Sequence, residues 1–290
     1  MSTEPKEMTI QLLGALSVRL NGVPIMPGAA KPRQILALLA LNTGRVVTTS
    51  TLAEELWGDR PPPSASTTVQ TYILELRKRI AKATGPGRDP KRVLRTRHDG
   101  YLLEAGGSQT DVEEFSRLAW AGRAATEGGD HRTAAELLRR ALALWRGPAL
   151  VDVRMGRVLE LEAMALEEAR LGVLGRRIEA DLTLGRHADI LGELAALAAR
   201  NPMNEHFFAQ LITALYRAGH IARALEEFQR LRRSLIRELG VEPSAKLQRL
   251  QQAVLARDPA LDTAGPPATP TRTTPRRGLR TRHGPPARRP

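Results

Sequence analysis

The residues of this chain that could do chemistry lie in two short runs. The first is Thr67-Thr68-Val69-Gln70-Thr71-Tyr72-Ile73-Leu74-Glu75-Leu76-Arg77-Lys78. At about 100° per residue, Val69, Ile73, Leu76 and Ile80 share one narrow arc, the core-facing stripe of an amphipathic helix. The opposite arc holds Thr67, Thr71, Leu74, Glu75 and Lys78, with Gln70, Tyr72 and Arg77 on its shoulders. Small hydroxyls and an amide at those places can hydrogen-bond base edges in a DNA major groove, while the cations hold phosphates on either side. Gln70 carries the donor–acceptor pair that suits adenine. An ordinary helix with a solvated face has the same pattern, so amphipathicity alone does not decide between the two.

The second run is Arg95-Thr96-Arg97-His98-Asp99-Gly100-Tyr101. Asp-Gly between two strand-like pieces, Val93 to Arg97 and Tyr101 to Glu104, is a hairpin signal. It puts arginine at the tip of a two-stranded wing, where the negative potential of a narrow minor groove would attract it. Gly100 is expected to supply the turn conformation. Tyr101 is expected to pack its ring and turn its hydroxyl outward.

No other chemistry stands out. The chain has no cysteine, hence no disulfide, thiolate metal site or thiol nucleophile. No Gly-rich loop ending in Lys-Ser/Thr is present, and no G-x-S-x-G, H-E-x-x-H or paired-carboxylate constellation stands out. His187, His206 and His220 are not at metal-ligand spacing. The expectation is a protein that is not an enzyme and needs no metal or cofactor.

The elements that would position these residues follow from pattern and punctuation. Thr9 to Leu20 is rich in strand formers, and Asn21-Gly22 marks a tight hairpin with Val23 to Met26 as the return strand. A helix runs from Pro32 until Asn42-Thr43-Gly44 stops it. After the extended pair Val46-Val47, Thr49 or Ser50 can cap a second helix that ends at Gly58 and the Pro61-Pro62-Pro63 run. Ser64 or Ser66 can cap the long third helix, broken by Gly85-Pro86-Gly87. Strands, three helices and a hairpin follow one another in that order.

From Asp111 to about Arg257 the chain reads as helix after helix. Gly185-Arg186-His187-Ala188 with Leu191 and Leu194 matches Gly219-His220-Ile221-Ala222 with Leu225 and Phe228 at an offset of 34 residues, the spacing of tetratricopeptide helix pairs. Gly129-Asp130-His131 with Ala134, Leu137 and Leu138 resembles a third copy out of phase. Trp145 and Tyr216 read as core anchors. Past Pro259 the sequence is rich in Pro, Thr and Arg and is expected to be disordered.

Charge divides the same way. Residues 1–105 hold 15 Lys/Arg against 9 Asp/Glu, residues 106–264 hold 22 against 22, and residues 265–290 hold 7 against none. A basic head on a neutral body suggests a polyanion partner for the first and a protein or ligand partner for the second. The start, Met1 to Glu7, lacks the basic and apolar regions of a secretory leader. The longest apolar run, Ile35 to Leu41, is short of a membrane span. The expected location is the cytoplasm, on the nucleoid, with no membrane partner.

Leu52-Ala53-Glu54-Glu55-Leu56-Trp57-Gly58, then Thr68 to Arg79, then Arg97 to Tyr101 resemble the OmpR/PhoB-type winged helix. Trp57-Gly58-Asp59 ahead of a proline run, with Val69-Gln70-Thr71-Tyr72 in the helix, resembles the Streptomyces antibiotic regulatory protein (SARP) family. Leu142-Ala143-Leu144-Trp145-Arg146-Gly147-Pro148-Ala149-Leu150, Ala214-Leu215-Tyr216-Arg217-Ala218-Gly219 and Glu238-Leu239-Gly240-Val241-Glu242-Pro243-Ser244 resemble its bacterial transcriptional activation domain. The fold implied is mainly α. An N-terminal winged helix-turn-helix (α+β) over 1–105 precedes an all-α tetratricopeptide-like domain over 106–258 and a disordered basic tail over 259–290.

The resemblance implies an activator that binds direct repeats in double-stranded promoter DNA of antibiotic (secondary-metabolite) clusters. It further implies recruitment of the RNA polymerase holoenzyme with its sigma factor, and a homodimer on DNA. Carried over to these positions, Thr67, Gln70, Thr71 and Glu75 would face bases. Trp57, Tyr72, Arg77 and Lys78 would lie near phosphates, and Arg95, Arg97 and Tyr101 would belong to the minor-groove wing. Glu75 departs from relatives that place a basic residue there; it would read a cytosine amine or simply face solvent. Arg33 and Arg92 are lesser backbone candidates. No receiver domain precedes the winged helix, so control by a phosphoaspartate within the chain is not expected. The rival reading is a tetratricopeptide-like adaptor whose head binds protein rather than DNA.

Overall fold

The computed structural model describes residues 8–86, 89–107 and 109–262. The expectations for Met1 to Glu7 and for residues 263–290 lie outside them.

The chain opens with a three-stranded antiparallel sheet. β1 (Met8–Gln11) pairs with β2 (Ser17–Leu20) in the register Met8 opposite Leu20, and β2 pairs with β3 (Val23–Pro24). Asn21 and Gly22 both have positive φ (51° and 76°), the mirror-image turn that matches strand twist. Alternation puts Met8, Ile10, Val18 and Leu20 inside.

Three helices follow: α1 (Ala30–Leu41), α2 (Thr49–Trp57) and α3 (Ala65–Thr84). Between the first two, β4 (Val46–Thr48) enters a second sheet with β5 (Leu94–Arg97) and β6 (Gly100–Leu103), in the order β4-β6-β5. The cap of α2 is Thr48, one residue before the expected Thr49 or Ser50; its hydroxyl accepts from Thr51 N at 3.1 Å. Ser64 occupies the N-cap of α3 without a side-chain bond to the helix. The α3 stripe Val69, Ile73, Leu76 and Ile80 is buried against α1 and the wing, as its spacing requires.

The described second half carries α4 (Asp111–Glu127), α5 (His131–Ala143), α6 (Arg157–Thr183), α7 (His187–Arg200), α8 (Glu205–Arg217), α9 (Ile221–Leu239) and α10 (Ala245–Ala256), with an irregular stretch over 144–156 between α5 and α6. Thr110 and Glu113 form a capping box on α4. The repeat signal has a packing basis. Gly129, Gly185 and Gly219 all take positive φ, and the positions five and nine residues later are buried in each copy: Ala134 and Leu138, Ile190 and Leu194, Ala224 and Phe228. Trp145 and Tyr216 are buried as expected, Trp145 edge-on to Phe115 at 5.6 Å. Pro259–Leu261 form a 3-10 turn, and Arg217 Nε donates to Leu261 O at 2.7 Å. The folded chain thus runs past the expected boundary at 258.

The two halves are not independent beads. The first core includes Leu150, Val153 and Leu159 beside the residues of the winged helix. The stretch after β1 is clasped by the helical half: Leu12 N and Leu13 N donate to the Asp111 carboxylate, Leu150 N donates to Leu12 O, and Leu16 N donates to Asp152. Glu55 of α2 is 2% exposed and accepts from Gly156 N (2.6 Å) and Leu159 N (2.9 Å). Gly156 has no side chain to cap α6, so a carboxylate from the winged helix satisfies those amides and complements the helix dipole.

Candidate nucleic-acid interface

One face of α3 stays in solvent: Ser66, Thr67, Gln70, Thr71, Leu74 and Lys78 are exposed. Lys78 has no ion pair or side-chain hydrogen bond among the described residues. Thr71 Oγ1 donates to Thr67 O at 3.0 Å, so toward a base the hydroxyl offers acceptor lone pairs beside its methyl group.

A cleft of about 500 Å³ separates this face from the wing. Thr48, Thr49 and Ser50 line it from the amino end of α2, Ser66 and Gln70 from α3, and Thr96 to Tyr101 from the hairpin. Gln70 and Arg97, predicted separately as base reader and groove arginine, therefore face one depression. Arg97 is exposed and has no acidic partner among the described residues. The hydroxyl run at 48–50 and His98 were missed by sequence reasoning, because Thr-Thr-Ser-Thr signals a helix cap whether or not it also borders a cleft.

Gly100 has a different task from the one expected. It is the first residue of β6, paired with Arg97 and Thr48, and its φ is not positive. A Cβ there would lie 2.0 Å from Val47 O. Glycine is required for close approach of β4, and His98-Asp99 make the turn. Thr49 N donates to Asp99 O at 2.8 Å, tying α2 to the wing tip.

Several of the expected contact residues are occupied inside the protein. Arg77 donates from Nε and Nη2 to Leu94 O (3.1 and 2.9 Å) and from Nη2 to Thr96 Oγ1 (2.8 Å). It staples α3 to β5 in place of reaching freely outward. Arg95 pairs with Glu104 at 3.1 Å. Glu75 pairs with Arg79 at 3.3 Å, and Arg79 also donates to Met26 O. Tyr101 is only 7% exposed and belongs to the first core, so it supports the wing and does not project from it. Tyr72 and Trp57 are partly buried against the same core, with Lys31 Nζ 4.8 Å from the Trp57 ring centre. Arg33 pairs with Asp152 across the junction of the halves. Arg92 is exposed.

Comparison with known proteins adds a second line of support. Residues 26–103 match the family "Transcriptional regulatory protein, C terminal", and residues 110–255 match "Bacterial transcriptional activator domain". Over 261 residues the chain is 51% identical to the regulatory protein DnrI of Streptomyces peucetius, covering 89% of this chain and 96% of that one. It is 37% identical over 252 residues to the transcriptional regulator RedD of Streptomyces coelicolor, covering 87% and 71%. The solved structure of Mycobacterium tuberculosis EmbR in complex with a low affinity phosphopeptide superposes with a TM-score of 0.80 at 32% identity, over 89% of this chain and 68% of that one. The matched families and these relatives are transcription regulators and not enzymes, and a winged helix with an open α3 face fused to a helical-repeat half agrees with them. The chain belongs to the SARP family of transcriptional activators.

No helix among the described residues is long and apolar enough to cross a membrane, and none of their His, Asp and Glu residues group as a metal site.

Proposed function

We propose that this protein binds promoter DNA sequence-specifically as a pathway-specific activator of a secondary-metabolite (antibiotic) gene cluster. In this reading α3 lies in a major groove over a direct repeat. Thr67, Gln70 and Thr71 meet base edges, Lys78 meets phosphate, and Arg97 enters the neighbouring minor groove. Glu75 keeps its base-facing place only if it leaves Arg79 for a cytosine amine. Tyr72, Trp57, Arg77 and Arg95 act mainly by fixing the geometry. The observation that carries the proposal is the single cleft lined by Gln70 and Arg97. A helix face and a wing opening onto one depression are what two adjacent grooves demand.

The hydroxyls at the amino end of α2 border the same cleft and can donate to a phosphate, while the Thr49 and Thr51 amides are engaged by Asp99 O and the Thr48 hydroxyl. Two copies on a direct repeat, and contact of the helical half with RNA polymerase holoenzyme through its sigma factor, complete the scheme. Trp120, which is 73% exposed, gives that half an apolar group suited to a protein partner. Such a protein works in the cytoplasm, on the nucleoid.

The test is selection from a random-sequence duplex library at moderate salt. The proposal predicts enrichment of a direct repeat and its protection from nuclease. Selection of no common sequence would refute it in favour of an adaptor role.

A further inference from the structure

Leu74 lies near the middle of the exposed face of α3 and is 53% exposed. On the helix surface it is flanked by Gln70 and Lys78 one turn away on either side and by Thr71 three residues before it. Every other large apolar residue of α3, Val69, Ile73, Leu76 and Ile80, is buried in the first core. Leu74 is thus the one large aliphatic group on a face that is otherwise polar. No neighbouring side chain of the described protein removes it from water. A base-edge reader has one use for such a group. In the major groove the methyl group that a base edge presents for apolar contact is the 5-methyl of thymine.

The residue beside it strengthens the case. Thr71 has spent its hydroxyl donor on Thr67 O. It therefore adds an acceptor and a methyl to the surface next to Leu74, and no donor. The stretch Gln70-Thr71-Leu74 then offers an amide for hydrogen-bonded readout and an apolar step adjoining it.

We infer that Leu74 is a specificity-determining residue that recognises a thymine by van der Waals contact with its 5-methyl group. The inference rests on the reading of α3 as the major-groove helix. It adds a readout that the hydrogen-bonding residues cannot supply, since methyl contact separates thymine from uracil and from unmethylated cytosine by shape alone.

The experiment uses the full chain and the duplex that it selects from a random library. Each thymine of one repeat is replaced in turn by deoxyuridine, which keeps every hydrogen-bonding edge and removes only the methyl. Burial of one methyl-sized group supports an effect of about fourfold in affinity. Wild-type protein should lose about fourfold at one thymine, and Leu74→Ala should bind the dT and dU duplexes equally. Leu74→Met, which keeps the apolar bulk, should retain the discrimination. An equal loss for wild type and Leu74→Ala at every dU position, or no loss at any position in the wild type, would overturn the inference while leaving DNA recognition intact. Failure to select any sequence would instead remove the underlying reading. Leu74 is exposed, so circular dichroism of Leu74→Ala should match the wild type; a changed fold would assign Leu74 to structure and overturn the inference as well.

Discussion

Two arginines on neighbouring surfaces have opposite duties. Arg97 has no acidic partner among the described residues, whereas Arg77 has three hydrogen bonds to β5. Arg97→Ala should leave the melting temperature unchanged. It should lower DNA affinity on all sequences and reduce the slope of log affinity against log salt by about 1. Arg77→Ala should cost roughly 1–3 kcal/mol in urea unfolding, because a charge-assisted anchor between α3 and the wing is lost. Gln70→Ala should relax preference at one base pair by about 1–3 kcal/mol, read as a flattened position in the selected site. These distinctions were only partly legible. The sequence shows which residues are cationic and on which arc they lie. It does not show that Leu94 O and Thr96 sit within reach of Arg77, or that Glu104 sits opposite Arg95. Those neighbours are brought in by strand register, which no helical periodicity reports.

At the scale of elements, α3 and the wing were visible because their signals are local. A 3.6-residue apolar stripe and a two-residue turn are written within about twenty residues. Gly100 was visible as a glycine and misread in role, since an Asp-Gly pair looks the same whether the glycine turns the chain or lets a third strand approach. β4 is the hidden term. Three residues, Val46–Thr48, pair across more than fifty positions with β6. The structure makes a sharp demand there: Gly100→Ala should destabilise the winged helix severely, by more than the roughly 0.5–1 kcal/mol of an ordinary glycine-to-alanine change in either direction. A neutral result in thermal unfolding would contradict the close approach of Val47 O.

For the whole molecule, the shared core and the Glu55 cap imply that winged helix and helical half unfold together. Glu55→Gln replaces one acceptor by a donor facing Gly156 N or Leu159 N. It should lower stability by about 1–3 kcal/mol and accelerate hydrogen exchange at both amides. The sequence gives no hint of this link, because Glu55 reads as one more acidic residue on a short helix and its partners lie about a hundred residues away. Acid should weaken the far end of the molecule. Burial of His206 against Gly175 holds its pKa below the ordinary histidine value, with Lys246 acting in the same direction and Glu179 against it. Its neutral form therefore stabilises the fold above the ordinary value, and that contribution is lost as pH falls through the depressed one. His206→Gln should flatten the decline in melting temperature as pH falls below the ordinary histidine value.

The absence of cysteine allows the central claim, α3 in a major groove with the wing in the adjoining minor groove, to be measured directly. Gln70→Cys and Arg97→Cys would each carry the only thiol in the chain, to which an iron chelate that cleaves DNA can be attached. On the selected duplex, cleavage from position 70 should centre within the repeat. Cleavage from position 97 should be displaced to the adjacent minor groove, about half a helical turn of roughly 10 base pairs away. Coincident cleavage from both positions, or diffuse cleavage from either, would contradict the account.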